Sequence, residues 1–449
     1  MAQAVIRALS VISRDSLWEL LAGKEMEQTV ISNNHHSPVA PRVVITGMGA
    51  ITPLGHSVQD TWQAAVAGTP GAGYITLFDH SQLDVHIAAE VKGFDPNVHF
   101  GAKDARRLDR VSQFALVAAK QALEDAGLVV TEDNTYDIAV IVGSGIGGIT
   151  TLLNEHQVML TKGHRRISPF AVPMMLPDTA TGQIAIHFGI RGPNLCIVTA
   201  CASGVNALGE AFELIRAGRA KAAITGGCET PINPFSMSAF NNMGALSSYN
   251  DDPPRASRPF DKTRNGFVTG EGAAMLVLES LEHAQARGAR IYAEVLGYGC
   301  TDDAFHITAP DTRGPAMAMR IALRQAGLQP TQIDYLNAHG TSTPLNDLNE
   351  TRAIKDVFGE TAYDLHISST KSMTGHSFGA VGAIEAVLCV KAINDDVVPP
   401  TINYVHPDPE CDLNYTPNAA VRKPIRTAMS NSFGFGGHNG CVILSEFNG

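Results

Sequence analysis

The sequence contains an internal repeat, and this repeat restricts the possible folds more than any other feature. The heptapeptide ALEDAGL at residues 122–128 recurs as ALRQAGL at residues 322–328. In each copy a short polar spacer leads to an apolar strand and a glycine turn, YDIAVIVGSG in the first and IDYLNAHGTS in the second. The same order of elements twice indicates a duplicated unit. We therefore predict two similar α/β halves, residues 41–290 and 291–449, preceded by an extension of unknown function at 1–40.

Both halves alternate apolar strands with amphipathic helices. In the first half RVVITGMGAITPLG precedes the helical pattern QFALVAAKQALEDAGL, and NLCIVTA runs into ASGVNALGEAFELIRAG. This alternation favours parallel βαβ units with helices on both faces of a sheet. Ligands of such sheets bind beyond the carboxyl ends of strands. Functional residues are therefore expected where strands end, in both halves.

Length and composition disfavour several classes of protein. With 449 residues, 44% of them hydrophobic, the chain can bury a large core, and its net charge of −11 disfavours general binding to nucleic acid or anionic membranes. No apolar run approaches the roughly 20 residues of a membrane helix. The seven scattered cysteines form no CxxC pair, which disfavours a disulfide scaffold and a metal site. We predict a cytoplasmic protein, or an organellar one if residues 1–40 are a transit peptide.

The most reactive candidate is Cys201, which lies between the apolar run LCIVTA and the helical run ASGVNALGEAFELI. This position predicts a sharp strand-to-helix turn that exposes the sulfur, and a helix N-terminus stabilises a thiolate through its N–H groups and dipole. Small neighbours leave room for a substrate to approach the backbone. A lone cysteine at such a place is more often a small core residue, so the rest of the chain decides between the two interpretations.

Three further motifs follow apolar strands of the second half. His339 lies in LNAHGTSTPLND, and SSTKSMTGHSFGAVGAIE brings Lys371 and His376 to the start of a glycine-rich helix. The segment MSNSFGFGGHNG places four glycines around Phe433 and Phe435, so that backbone N–H groups can point into a site. Each motif also has a plain structural interpretation: a strand-capping histidine, a surface lysine, or a β-bulge with core aromatics.

The combination of one cysteine and two histidines at strand ends is typical of acyl transfer. A thiolate takes an acyl group as a thioester, and two imidazoles stabilise an enolate oxygen in a second step. Chance is a poor explanation for four such motifs divided between two duplicated halves.

Together these motifs resemble those of the β-ketoacyl-acyl-carrier-protein synthases, and among them the elongating synthases of fatty acid synthesis. The similar segments are TACASG, NAHGTSTPLND, STKSMTGH and NSFGFGG, and the likeness runs from about residue 42 to the C-terminus. The resemblance implies a thiolase-like fold, in which two pseudo-symmetric βαβαβαββ halves form a layered α-β-α-β-α sandwich. It also implies a homodimer, an acyl carrier protein as partner, and no cofactor beyond the phosphopantetheine arm of that partner.

The resemblance implies a role for each matching residue. Cys201 would be the nucleophile that carries the acyl chain, and His339 and His376 would hydrogen-bond the thioester oxygen of a malonyl unit while CO2 leaves. Lys371 would hold His339 in its productive protonation state and orientation, with Glu350 as the partner of the lysine.

The resemblance also implies which residues shape the substrate channel. The N–H groups of Cys201 and Phe435 would form the oxyanion hole, and Phe435 would act as a gate between the acyl and malonyl states. Thr341 and Thr343 would bind the phosphopantetheine arm. The remaining residues expected to contact substrate are Ile146, which would line the acyl pocket, Thr308 and Phe433.

Two basic segments, AKDARRLDR and GHRRIS, are candidates for docking an acidic carrier protein despite the negative net charge. An ordinary solvated helix face is the alternative. Their basic residues are Lys103, Arg106, Arg107, Arg165 and Arg166. The sequence also departs from the family pattern, with Ser377 and Phe378 in place of two leucines, Asn265 in place of aspartate and Gly244 where a basic residue often occurs. These departures bear on packing, pocket shape and carrier affinity.

We therefore predict an enzyme that condenses malonyl-carrier protein, with loss of CO2, onto an acyl chain held by Cys201 in fatty acid elongation. A polyketide ketosynthase is the alternative enzyme. A non-catalytic acyl-binding or chain-length subunit is the alternative of another class. The joint presence of the cysteine, both histidines and the lysine disfavours that alternative, because a binding scaffold needs none of them.

Overall fold

The computed structural model describes residues 40–449, so nearly all of the extension predicted at 1–40 lies outside the described residues. The strands are β1 Val43–Ile51, β2 Gly73–Tyr74, β3 Ile87–Ala88, β4 Ile138–Gly143, β5 Asn194–Ile197, β6 Ala222–Glu229, β7 Gly272–Ser280, β8 Ala293–Asp302, β9 Tyr335–Asn337, β10 His366–Ser368, β11 Val397–Val398, β12 Val421–Arg422, β13 Thr427–Gly434 and β14 His438–Ser445. The helices are α1 Val58–Val66, α2 Pro96–Ala105, α3 Arg110–Ala126, α4 Ile149–Lys162, α5 Ala171–Met175, α6 Thr179–Phe188, α7 Ser203–Arg216, α8 Pro234–Asn242, α9 Leu281–Ala286, α10 Arg313–Ala326, α11 Pro344–Phe358, α12 Lys371–Thr374 and α13 Val381–Asp395. Of these helices, none has both the length and the apolar character that crossing a bilayer requires.

Ten strands form one sheet, and its strand order repeats. The order is β10-β9-β13-β14-β8-β1-β7-β6-β4-β5, with β1 and β8 paired antiparallel in the middle. Outward from that pair, each side presents its first strand, then its fifth, fourth, second and third. The second strand of each set pairs parallel with its two neighbours. The sheet therefore carries the duplication that the repeat indicates, while the border at residue 290 stays a prediction.

Helices form the layers between and outside the two sets of five strands. Helix α7 contacts β4, β6 and β14, helix α13 contacts β6, β7 and β13, and the two helices contact each other. On the outer faces α3 packs on β1 and β7, and α10 packs on β8 and β14. Strands covered on both faces are buried along their whole length, as β1 and β6 are. This arrangement matches the predicted α-β-α-β-α layers.

The repeated heptapeptide has a packing explanation. In the first half a Cβ added at Gly47 of β1 would overlap the carbonyl oxygen of Ala122, and in the second half a Cβ at Gly297 of β8 would overlap that of Ala322. The absence of a side chain lets each outer helix lie directly on its strand. The glycine of each AGL also ends its helix in the left-handed conformation. The repeated sequence therefore forms the same close helix–strand contact in both halves.

Candidate active site

The predicted cysteine, histidines and lysine come together beyond the ends of four strands. Cys201 lies on a short 3₁₀ turn between β5 and α7, and His339 follows β9 by two residues. Lys371 begins α12 just after β10, and His376 lies between α12 and α13. Phe435 directly follows β13. Both sets of strands thus contribute to one site, as expected for ligand sites of α/β sheets.

The cysteine and the two histidines share one buried site. Nε2 of His376 lies 3.0 Å from Sγ of Cys201. The rings of His339 and His376 are nearly perpendicular, with an interplanar angle of 86° and centroids 5.4 Å apart. All three side chains are buried, with exposed fractions of 5% for the cysteine and 3% for each histidine. The sulfur can therefore exchange a proton with a ring nitrogen without a water between them.

Burial decides the resting state of the nucleophile. It raises the pKa of the Cys201 thiol to about 12, although Lys371 and the N–H groups of Phe435 and Cys201 act to lower that pKa. The expectation of an exposed sulfur with a bias toward thiolate is therefore wrong. The turn folds the sulfur inward, where the loss of solvation outweighs the stabilisation that a helix N-terminus provides. The resting nucleophile is a thiol that must lose its proton during attack.

Both histidines are neutral at pH 7. Burial, reinforced by the Lys371 ammonium, lowers the pKa of His339 and of His376 well below the usual 6.5. A neutral imidazole has one N–H donor and one acceptor nitrogen. The pair can therefore accept a thiol proton and donate hydrogen bonds to a carbonyl or enolate oxygen.

The lysine has a different partner from the one predicted. Nζ of Lys371 lies 2.6 Å from Oε1 of Glu385 on α13, and the exposed fractions of these side chains are 1% and 0%. Glu350 instead accepts the backbone N–H groups of His339 and Gly340 at 2.8 and 2.7 Å. Glu350 thus forms no salt bridge or hydrogen bond with the lysine, although the charge of the ammonium acts on it, and its carboxylate fixes the turn that carries the histidine. A signal for Glu385 was present, since it is the one acidic residue in the apolar run GAIEAVLCV.

Two backbone N–H groups converge on the sulfur. The N–H groups of Phe435 and Cys201 point toward the thiol sulfur closely enough to lower its pKa. Gly434 makes this approach possible, because a Cβ there would lie 2.7 Å from the carbonyl oxygen of Thr199 and 3.0 Å from the nitrogen of Cys201. An oxygen bound next to the sulfur would face the same two donors, which is the geometry of an oxyanion hole.

A cavity of about 400 Å³ leads from Cys201 to the surface. Of the predicted contact residues, Thr341, Thr343, Thr308 and Phe433 line it. The hydroxyl oxygens of Thr341 and Thr343 lie 2.9 Å apart. Ile146 does not line this cavity, and its N–H group donates to Glu229, so its place in the acyl pocket stays a prediction. Other residues of this lining were not predicted from the sequence, and they include Met243, Phe267, Leu345 and Phe378.

The five basic residues proposed for carrier docking are exposed. Lys103 lies on α2, and the second segment forms a 3₁₀ turn at His164–Arg166. The guanidinium of Arg107 lies 5.0 Å from the ring centre of Phe170, just after that turn. The two segments are therefore neighbours on the surface.

Comparison with known proteins agrees with this geometry. A family model described as the N-terminal domain of β-ketoacyl synthase matches residues 40–284, and that of the C-terminal domain matches residues 292–405. A 3-oxoacyl-[acyl-carrier-protein] synthase 2 of Staphylococcus aureus (strain COL) is 53% identical over 408 residues, which cover 90% of this chain and 98% of that protein.

Two solved structures are also similar. One is described as the ishigamide ketosynthase/chain length factor (TM-score 0.86, 38% identity), the other as a type II PKS acyl-carrier protein in complex with its ketosynthase (TM-score 0.83, 35% identity). Each match covers 91% of this chain and 100% of the other.

The fold confirms the predicted thiolase-like class of acyltransferases, which form carbon–carbon bonds. Within that class the chain belongs to the β-ketoacyl synthase family, since the two family models match most of its length and the bacterial relative is 53% identical.

Replacement of Lys371 by methionine tests how the lysine controls the histidines. The ammonium lowers the pKa of both rings, so its removal raises their pKa. As the pH falls, the rings of the variant then become protonated at a higher pH than those of the parent enzyme. We expect the acid limb of kcat/KM for malonyl decarboxylation to move up by about one pH unit. Lys120→Met on the exposed face of α3 is the matched control. An acid limb at the same pH in both variants would exclude this role.

Proposed function

We propose that this chain condenses malonyl-carrier protein with an acyl chain held on Cys201, with loss of CO2, in fatty acid elongation. The observation that carries the proposal is the buried 3.0 Å contact between Sγ of Cys201 and Nε2 of His376, with His339 beside it. The bacterial relative bears the name of such a synthase. Its 53% identity, against 38% and 35% for the two polyketide-type structures, favours fatty acid over polyketide synthesis.

In the first half-reaction the Cys201 sulfur attacks the carbonyl carbon of an acyl-pantetheine thioester. Nε2 of neutral His376 takes the thiol proton as the new C–S bond forms, and the N–H groups of Cys201 and Phe435 stabilise the negative oxygen. The old C–S bond then breaks, and the proton leaves with the pantetheine sulfur as a free thiol. Proton transfer during attack removes the need for a resting thiolate, which burial disfavours.

In the second half-reaction a malonyl thioester enters the same cavity. His339, and His376 in the tautomer that carries its proton on Nε2, would donate hydrogen bonds to its thioester oxygen, so the enolate that forms when CO2 leaves is stabilised. The enolate carbon attacks the acyl carbon on Cys201 and displaces the sulfur, which regains one proton from solvent. The products are a β-ketoacyl thioester and CO2. Neutral rings suit this step. A charged imidazolium would form a salt bridge with the malonyl carboxylate and so stabilise the group whose charge must be lost when CO2 leaves.

We also propose that the reaction needs no metal or organic cofactor, because side chains and N–H groups serve every proton transfer and every developing charge. Thr341 and Thr343, which line the cavity towards its mouth, would bind the amides of the phosphopantetheine arm. All seven cysteines are free, which supports a reducing compartment, and we propose the cytoplasm.

Acylation of Cys201 tests the proposed nucleophile. Incubation with acyl-carrier protein should add the acyl mass to the peptide that contains Cys201, as read by mass spectrometry. Cys201→Gln should abolish condensation and leave malonyl decarboxylation possible, because the histidines remain. The control is Cys300→Ser, which changes an exposed free thiol and should keep activity. An acyl group on another residue would overturn the assignment.

The joined basic segments would dock the acyl carrier protein. The structural relative with a bound carrier protein shows that a ketosynthase of this fold accepts such a partner. Arg107 and Arg166 belong to the two segments that meet at Phe170, and an apolar ring among exposed cations suits a partner that is acidic around an apolar patch.

Charge reversal tests this docking surface. The double variant R107E/R166E should lower kcat/KM for acyl-carrier protein roughly tenfold at low salt by slowing association, with the difference shrinking as salt is added. Activity on a short acyl-pantetheine thioester should stay unchanged. Arg324→Glu, an exposed arginine on α10, is the control. Equal losses with carrier protein and with the small thioester would contradict docking.

We further propose that the chain forms a homodimer through β5. This strand is the last of the sheet, pairs only with β4 among the described strands, and is half exposed. Leu195 on β5 is 48% exposed, and Ile186 on the neighbouring α6 is 77% exposed. An open apolar edge is a site for pairing with another chain, and a second copy can supply the same edge about a two-fold axis.

Polar substitutions on this edge test the dimer. We expect the parent chain to sediment as a dimer and the variant L195K/I186D to sediment as a monomer, since both substitutions place charge in the proposed interface. Val129→Asp changes an equally exposed apolar residue elsewhere and should leave the dimer intact. A parent chain that stays monomeric at micromolar concentration would rule the proposal out.

A further inference from the structure

The acyl chain on Cys201 must lie away from the mouth of the cavity, if the proposed function holds. The mouth is lined by exposed side chains such as Met243, Ile307 and Leu345. In the second half-reaction the pantetheine arm of the malonyl carrier fills this route. The apolar direction that remains is the buried cluster around Cys201, which contains Ile232, Met237, Phe267 and Phe378, with Phe240 packed against it.

The ring of Phe378 separates the cavity from that cluster. Phe378 and Phe267 line the cavity, whereas Phe240, Ile232 and Met237 do not and lie beyond them in the same cluster. The rings of Phe378 and Phe240 are stacked, with centroids 4.8 Å apart and an interplanar angle of 17°. Phe267 meets Phe378 edge-on at 5.5 Å. A long chain that extends past Phe378 would therefore meet these two packed rings.

The backbone holds Phe378 firmly in this place. Its φ of +43° is unfavourable for a bulky residue and persists only where the surroundings impose it. The next N–H group, that of Gly379, donates to Oε2 of Glu229 at 3.1 Å. A Cβ at Gly379 would lie 2.6 Å from the nitrogen of Gly145, so this segment is pressed against the loop after β4.

Glu229 ties these two segments together. Its carboxylate lies at the end of β6, is fully buried, and also accepts the N–H groups of Gly145 and Ile146 at 2.6 and 3.2 Å. The backbone at 378 therefore cannot shift without breaking hydrogen bonds of a buried carboxylate. Only rotation of the phenyl ring could open the way, and Phe240 and Phe267 resist it.

We propose that Phe378 sets the length of the acyl chain, so that this enzyme elongates short acyl chains and discriminates against long ones. A short chain fits between Cys201 and the ring. Each further methylene must displace a ring that is packed on two others, and close-packed interiors resist such insertion. A long chain would gain apolar burial only after the ring has left its place.

The test is a series of carrier proteins loaded with butanoyl, octanoyl, dodecanoyl or hexadecanoyl groups. For the parent enzyme we expect kcat/KM for condensation to fall at least about tenfold from butanoyl to hexadecanoyl. Phe378→Leu should raise the ratio of the hexadecanoyl value to the butanoyl value about tenfold, whatever its effect on the butanoyl value itself. Phe240→Leu, which removes the ring behind Phe378, should also shift the chain-length preference toward hexadecanoyl groups. It replaces the first variant as the test if Phe378→Leu folds poorly.

The control is Phe114→Leu, which removes a buried ring of α3 packed edge-on against Phe94 outside the cavity. It should keep the parent preference, whatever its effect on thermal unfolding. Equal kcat/KM of the parent for all four chains, or an unchanged preference in folded variants of both Phe378 and Phe240, would overturn the inference. Failure of the parent to condense even butanoyl groups would instead refute the proposed function on which the inference rests.

Discussion

One buried ion pair, Lys371 with Glu385, supplies the charge that acts on the thiol and on both histidines of the site, in addition to the effect of their burial. Taking two charges out of water is costly, and an apolar pair of similar volume often stabilises a fold as well or better. This pair therefore matters more for the electric field of its ammonium than for the stability of the fold. The ammonium acts on both histidines and on the thiol at once, and it keeps the rings neutral while it favours loss of the thiol proton. Glu385 gives the buried ammonium a hydrogen-bond acceptor at 2.6 Å.

The sequence predicted the fold from its repeat and the site from its strand ends. Both predictions worked because they rest on local rules: the glycine and small-residue pattern forces the same helix–strand contact twice, and parallel strands deliver their following residues to one edge. Cys201, His339, Lys371 and His376 were found this way, each directly after a strand or within a few residues of one.

The incorrect predictions concern properties that depend on contacts between distant parts of the chain. Whether Cys201 is exposed depends on segments that come from more than a hundred residues away, such as the one that carries His376. Which carboxylate meets Lys371 depends on where α13 places Glu385, a residue that the sequence analysis did not consider. A local sequence pattern does not determine these long-range contacts.

The protonated, enclosed state of Cys201 has a consequence for chemical durability. Peroxide and similar small oxidants react with exposed thiolates and slowly with buried thiols. A site whose thiol loses its proton only when a thioester is bound keeps its sulfur reduced between turnovers, whereas Cys300 is exposed and would be oxidised first. The sulfur thus becomes a strong nucleophile only when the substrate is in place. A permanently ionised sulfur would be open to oxidation at all times.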